Sequence, residues 1–104
     1  MNETEDLAKF LKTISPYDLL KIMNNGFAPS PNQVRIIEDI LREFEFKDEV
    51  MNVLIEYVIL VRNDFTRNDA FAMAKFLKRK QISSAEQGMY TIREAIKKRN
   101  LKRH

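Results

Sequence analysis

Residues 50–61 read VMNVLIEYVILV, and only Asn52 and Glu56 interrupt the apolar run. Twelve residues fall short of the roughly 20 that cross a bilayer and exceed the usual strand of about 5 to 6. The β-branched content (Val50, Val53, Ile55, Val58, Ile59, Val61) argues for a strand. The flanking segments overrule it, since none of them reads as a strand to pair with. The stretch is therefore expected to be a central helix. Its two polar residues, four apart, share one narrow stripe, and other helices wrap the remaining surface.

Outward from this stretch, helix starts recur as a hydroxyl residue followed three positions later by a partner that completes a capping box. Ser15 with Asp18, Ser30 with Gln33, Thr66 with Asp69 and Ser83 with Glu86 follow this spacing. Pro16 and Pro31 stand at the first helical position, where a missing N–H costs nothing. Six helices result. The first covers about Glu3 to Thr13, with Leu7, Phe10, Leu11 and Ile14 inward. The second starts at Pro16 and stops at Gly26, with Leu19, Leu20, Ile22 and Met23 inward. The third runs to Phe44 on Val34, Ile37, Ile40, Leu41 and Phe44. The central helix begins at Lys47 or Asp48 and ends at Asn63 and Asp64. The fifth runs to Lys80 on Phe71, Met73, Ala74, Phe76 and Leu77. The sixth runs from Ser84 to about Asn100 on Met89, Ile92 and Ile96. No segment alternates with period two, so the fold class is all-α, a compact bundle around the central helix.

The chain has 104 residues, enough for one self-sufficient domain spanning 1–104 that buries about two thirds of its unfolded surface. The last residues, about 99–104, form a basic tail expected to be disordered. With no cysteine and a single histidine, His104, the sequence offers no disulfide, zinc ribbon, thiol nucleophile or histidine-based catalysis. There is no phosphate-binding glycine loop and no nucleophile beside a base. Acidic neighbours such as Glu38 and Asp39 read as a solvated helix face. The expectation is a non-enzyme without cofactor or metal. The acidic N-terminus lacks a signal-peptide pattern and there is no transmembrane segment, so the protein is read as cytoplasmic.

Charge is unevenly placed. Residues 1–60 hold 6 Lys/Arg against 11 Asp/Glu, and residues 61–104 hold 12 against 4. After Asp69 the only acids are Glu86 and Glu94, against ten basic residues. Such a field attracts polyanions. The candidate DNA-binding cations are Lys75, Lys78, Arg79 and Lys80 at the end of the fifth helix, and Arg93, Lys97, Lys98, Arg99, Lys102 and Arg103 in the sixth and beyond. Phe76 and Tyr90 lie among them and are candidates for stacking on unpaired bases. The plainer readings are that cations favour the last turn of a helix and that Phe76 packs in the core. A solubility role for the lysines is the blandest.

The segments NVLIEYVIL (52–60) and AMAKFLKRKQISSAEQGM (72–89) resemble the C-terminal homology domain of the DnaB and DnaD replication initiation proteins of low-GC Gram-positive bacteria and their phages. The similarity spans about Tyr17 to Lys98 and is closest to the DnaB branch, the helicase-loading protein. The resemblance implies an all-α domain without enzymatic activity that acts in primosome assembly. It implies DNA, the replicative helicase or other primosome proteins, and further copies of the chain as partners, and the basic surface at the ends of helices five and six is expected to prefer single-stranded or forked DNA. A module that contacts helicase or initiator through its acidic half, without touching DNA, is the alternative. The family marker of Tyr, Ile and Trp spaced by four falls on Asp69, Met73 and Leu77, so none of the three is retained. The basic run and Ile82 match.

Overall fold

In a computed structural model the described residues are 3–102. They form six helices: α1 (Glu3–Thr13), α2 (Pro16–Met23), α3 (Pro31–Phe44), α4 (Asp48–Arg62), α5 (Arg67–Arg79) and α6 (Ala85–Lys102). No strand occurs among the described residues. The radius of gyration, 13.3 Å, matches the roughly 13 Å of a compact chain this long.

The capping chemistry explains the boundaries. Ser15 Oγ accepts from the Asp18 N–H, with Pro16 beginning α2. Ser30 and Gln33 complete a reciprocal box at α3. Thr66 Oγ1 accepts from the Asp69 N–H at α5. The chain leaves α2 through Asn25 and Gly26, both at positive φ, and the Gly26 N–H closes back on the Lys21 carbonyl. Three further non-glycine residues, Glu45, Asn63 and Gln81, take the left-handed conformation where α3, α4 and α5 end.

At α6 the start is one residue later than the Ser83–Glu86 spacing suggests. Ser84 Oγ accepts from the Gln87 N–H, and the Gln87 carboxamide oxygen accepts from the Ser83 N–H. Both serines and both partners satisfy the sequence pattern. What selects the second register is Glu49 on α4, whose carboxylate accepts from the Ala85 N–H at 2.8 Å. A helix N-terminus favours such an anion.

Helix α4 is the hub on which α1, α2, α3, α5 and α6 all pack. Val50, Met51, Val53, Leu54, Ile55, Tyr57 and Val58 are buried. Its polar residues differ from the expected stripe, because Asn52 is fully buried while Glu56 is half-buried. The amide nitrogen of Asn52 donates to the carbonyls of Leu11 and Ile14, 2.8 Å each, where α1 ends. Wrapping is also incomplete: Leu60 and Val61 are 66% and 52% exposed. The last turn of α4 thus opens to solvent in the clefts between its neighbours. Phe10 and Ile22, expected inside, are exposed, and Ile36 is buried. Of the linker phenylalanines, Phe65 is buried and Phe46 stacks on Phe44 at 5.5 Å, whereas Phe27 is exposed. Gly88 lets α6 approach α4 closely, since a Cβ there would stand 3.0 Å from Val53 Cγ1.

Candidate nucleic-acid interface

Helices α5 and α6 lie on α4 with a cleft between them, so the placement of each cation follows from which side of its helix it occupies. On α5 the positions facing the core are Ala70, Ala74 and Leu77. Lys75 and Arg79 therefore lie on the outer face, with Lys78 turned toward α3. Lys78 Nζ donates to the Phe44 carbonyl at 3.0 Å, where it neutralises the carbonyl end of α3. Arg79 and Lys80 stand over the Phe76 ring, each 5.9 Å from its centroid. Phe76 itself is half-buried against the core.

On α6, Met89 and Ile92 face the core, leaving Tyr90, Arg93, Lys97, Lys98 and Arg99 exposed. Arg93 is a fastening rather than a loose cation. Its Nε donates to the Tyr57 hydroxyl at 2.7 Å and its Nη1 to the Thr4 hydroxyl at 2.8 Å, tying α6 to α4 and α1. Lys97 forms a long pair with Glu94, 3.9 Å. Lys102 ends α6, and Arg103 lies outside the described residues.

The basic ends of α5 and α6 do not form one surface. Residues 80–84 carry the chain from the end of α5 directly to the start of α6, and from Ala85 to Arg99 the helix axis climbs about 21 Å. Arg99 accordingly sits with Arg62 and Asp69, at the start of α5. The two aromatic candidates are also separated. Phe76 lines the cleft between α5 and α6, of about 260 Å³. Tyr90, 68% exposed, lines a second cleft of about 550 Å³ on the α1 side, together with Leu60, Arg93, Lys97 and the acids Glu86 and Glu94. Sequence reasoning missed Arg62, the cation that joins Arg99. Only the packing of the end of α6 on the end of α4 brings these two together.

The marker positions take structural duties. Asp69 accepts a hydrogen bond from the hydroxyl of Thr66, the residue that caps α5, and stands 3.6 Å from Arg62, Met73 lines the cleft, and Leu77 is fully buried. No group of three or more His, Cys, Asp or Glu side chains able to hold a metal occurs among the described residues. None of their helices is long and apolar enough to cross a membrane.

A family model described as replication initiation and membrane attachment, DnaB_2, matches residues 17–99. The chain belongs to that family. Its match begins after α1 and takes in α2 to α5 with nearly all of α6. No solved structure matches the chain.

Proposed function

We propose that this domain is a DNA-binding and oligomerising module of a bacterial or phage helicase-loading protein, acting without catalysis of its own. The observation that carries the DNA reading is the exposed outer face of α6, where Tyr90 stands 68% exposed in a cleft with Arg93 and Lys97, while the two acids of that lining, Glu86 and Glu94, pair with Lys12 and Lys97. A flat ring beside cations suits an unpaired base and its phosphates, with stacking worth about 1 to 3 kcal/mol per base. Lys98 extends this face, Arg99 lies on the α5 side of the helix, and Lys75, Arg79 and Lys80 form a second cationic face on α5 for a longer or forked strand. Phosphate contacts position the strand without reading its sequence. Self-association is supported by the exposed apolar side chains of Phe27, Leu60 and Val61.

Fluorescence anisotropy with labelled single-stranded, duplex and forked DNA at two salt concentrations tests this reading. Lys97→Glu with Lys98→Glu is expected to weaken binding to all sequences and to flatten the salt slope by about one unit per lost phosphate contact. Tyr90→Ala is expected to weaken single-stranded binding with the slope unchanged. Lys75→Glu, Arg79→Glu and Lys80→Glu together report the second face and leave the α3 anchor at Lys78 intact. If all of these variants fold and bind as the parent does, the cations serve solubility and the reading fails.

A further inference from the structure

We propose that the cleft between α5 and α6 is a docking site for an acidic amphipathic helix of a partner protein. The cleft exists because α5 and α6 both rest on α4 yet scarcely touch one another. Its floor and walls are aliphatic, supplied chiefly by Val58, Val61, Met73, Ile92 and Ile96. Val61 is 52% exposed although it belongs to the core helix. Leaving such a side chain in water forgoes a burial that a partner's apolar residue would restore.

Charge at the two ends selects the partner. Arg79 and Lys80 stand over Phe76 at one end, and Arg62 and Arg99 line the other. Asp69 is the single acid in the lining, and it already lies 3.6 Å from Arg62. Asp69 and Phe76 are two turns apart on α5, about 10 Å along its axis. A helix that presents apolar side chains at positions i and i+4 covers about 6 Å of that length, and carboxylates in the turns flanking them meet cations at both ends. Between the ends the Tyr57 ring is only 3% exposed and the Phe76 ring is met by Arg79 and Lys80, so the open walls are mainly aliphatic, and the cations sit at the ends instead of tracking a phosphate backbone. That arrangement favours a peptide over a nucleic acid.

The test uses the full chain and a fluorescein-labelled synthetic helix of about four turns, with two leucines four apart and glutamates at both ends. Anisotropy should rise, and two-dimensional NMR should show shifts centred on Val61, Met73, Ala95 and Ile96. Replacing the peptide leucines by serine, or its glutamates by lysine, should each weaken binding by about tenfold or more. Ala72→Glu, at an exposed lip of the cleft, should do the same while circular dichroism remains unchanged. Arg62→Glu with Arg99→Glu gives the same loss by charge alone, should the first variant fail to fold. The proposal is overturned if no binding is seen at about 1 mM peptide, if the lysine peptide binds equally, or if the shifts map elsewhere. A single-stranded oligonucleotide that moves these same resonances, and is blocked by Ala72→Glu, would assign the cleft to nucleic acid and equally overturn it.

Discussion

Asn52 holds the end of α1 against the core: its side-chain amide donates to the Leu11 carbonyl at 2.8 Å, across 41 positions of sequence. A second bond reaches the Ile14 carbonyl, so one nitrogen satisfies two acceptors that the end of a helix leaves open. The Asn52 carboxamide oxygen has no partner among the described residues. The stabilisation therefore rests on the nitrogen alone. Asn52→Leu keeps the volume and removes both donors, and buried polar groups left unpaired cost about 1 to 3 kcal/mol each. Denaturant titration should show a net loss of about 2 kcal/mol, two orphaned carbonyls less the one relieved oxygen. An unchanged midpoint would show that α1 is held by its apolar face alone.

Ser84 and not Ser83 should carry the cap energy of α6. Ser84→Ala is expected to lower stability by about 1 kcal/mol, because Ser84 Oγ accepts from the Gln87 N–H. Ser83 contributes chiefly through its backbone N–H, 2.9 Å from the Gln87 carboxamide oxygen and retained by alanine, while its exposed hydroxyl reaches the same oxygen only at 3.3 Å, so Ser83→Ala should cost less. Equal losses in thermal unfolding would contradict the register.

Glu56 should make the protein less stable as pH rises. Burial lifts its carboxyl above the ordinary 4.5, so between that value and its folded pKa the folded state holds a proton that the unfolded state has released. Stability thus falls as pH increases through this window. Glu56→Gln removes the ionisation. Urea titrations at about pH 4 and pH 7 should show the variant gaining on the parent at the higher pH, with the difference closing at the lower. A gap that widens on acidification would give Glu56 a stabilising partner instead.

Gly88 should resist enlargement even though it lies within a helix, where alanine is ordinarily preferred by about 1 kcal/mol. An added methyl would press on Val53 Cγ1 at 3.0 Å and on Ile82 Cγ2 at 3.3 Å. Overpacking of this kind costs about 1 to 3 kcal/mol. A lower melting temperature for Gly88→Ala supports the close approach, and a higher one would show that α6 shifts freely.

Much of the architecture is legible because it is written locally. Each proline-led or hydroxyl-led start needs only the next three residues, and Gly26 marks a stop by its backbone freedom alone. The α6 register was ambiguous for a local reason too, since Ser83, Ser84, Glu86 and Gln87 satisfy the same pattern twice. The choice came from Glu49, 36 positions away. Asn52 was illegible as a clamp, because a polar residue in an apolar run reads as solvent-facing until the end of another helix is placed beside it. Leu60 and Val61 look like core by composition and are left uncovered in clefts, Leu60 on the α1 side and Val61 between α5 and α6. At the site, the cations were plain in the sequence but their partners were not. Arg93 and Lys78 spend their donors on Tyr57, Thr4 and Phe44, contacts that only the packing of distant helices creates.

That every other helix rests on α4 sets the order in which the molecule comes apart. The amides of α4 lie beneath five separate coverings, so their exchange with deuterium requires the whole chain to open. Those of α1, which buries only Ala8 and Leu11, need just one covering to lift. Slowest exchange should mark the middle of α4 and the earliest sub-global opening should release α1, laying bare the Tyr57 hydroxyl, the Arg93 guanidinium and the floor of the Tyr90 cleft together.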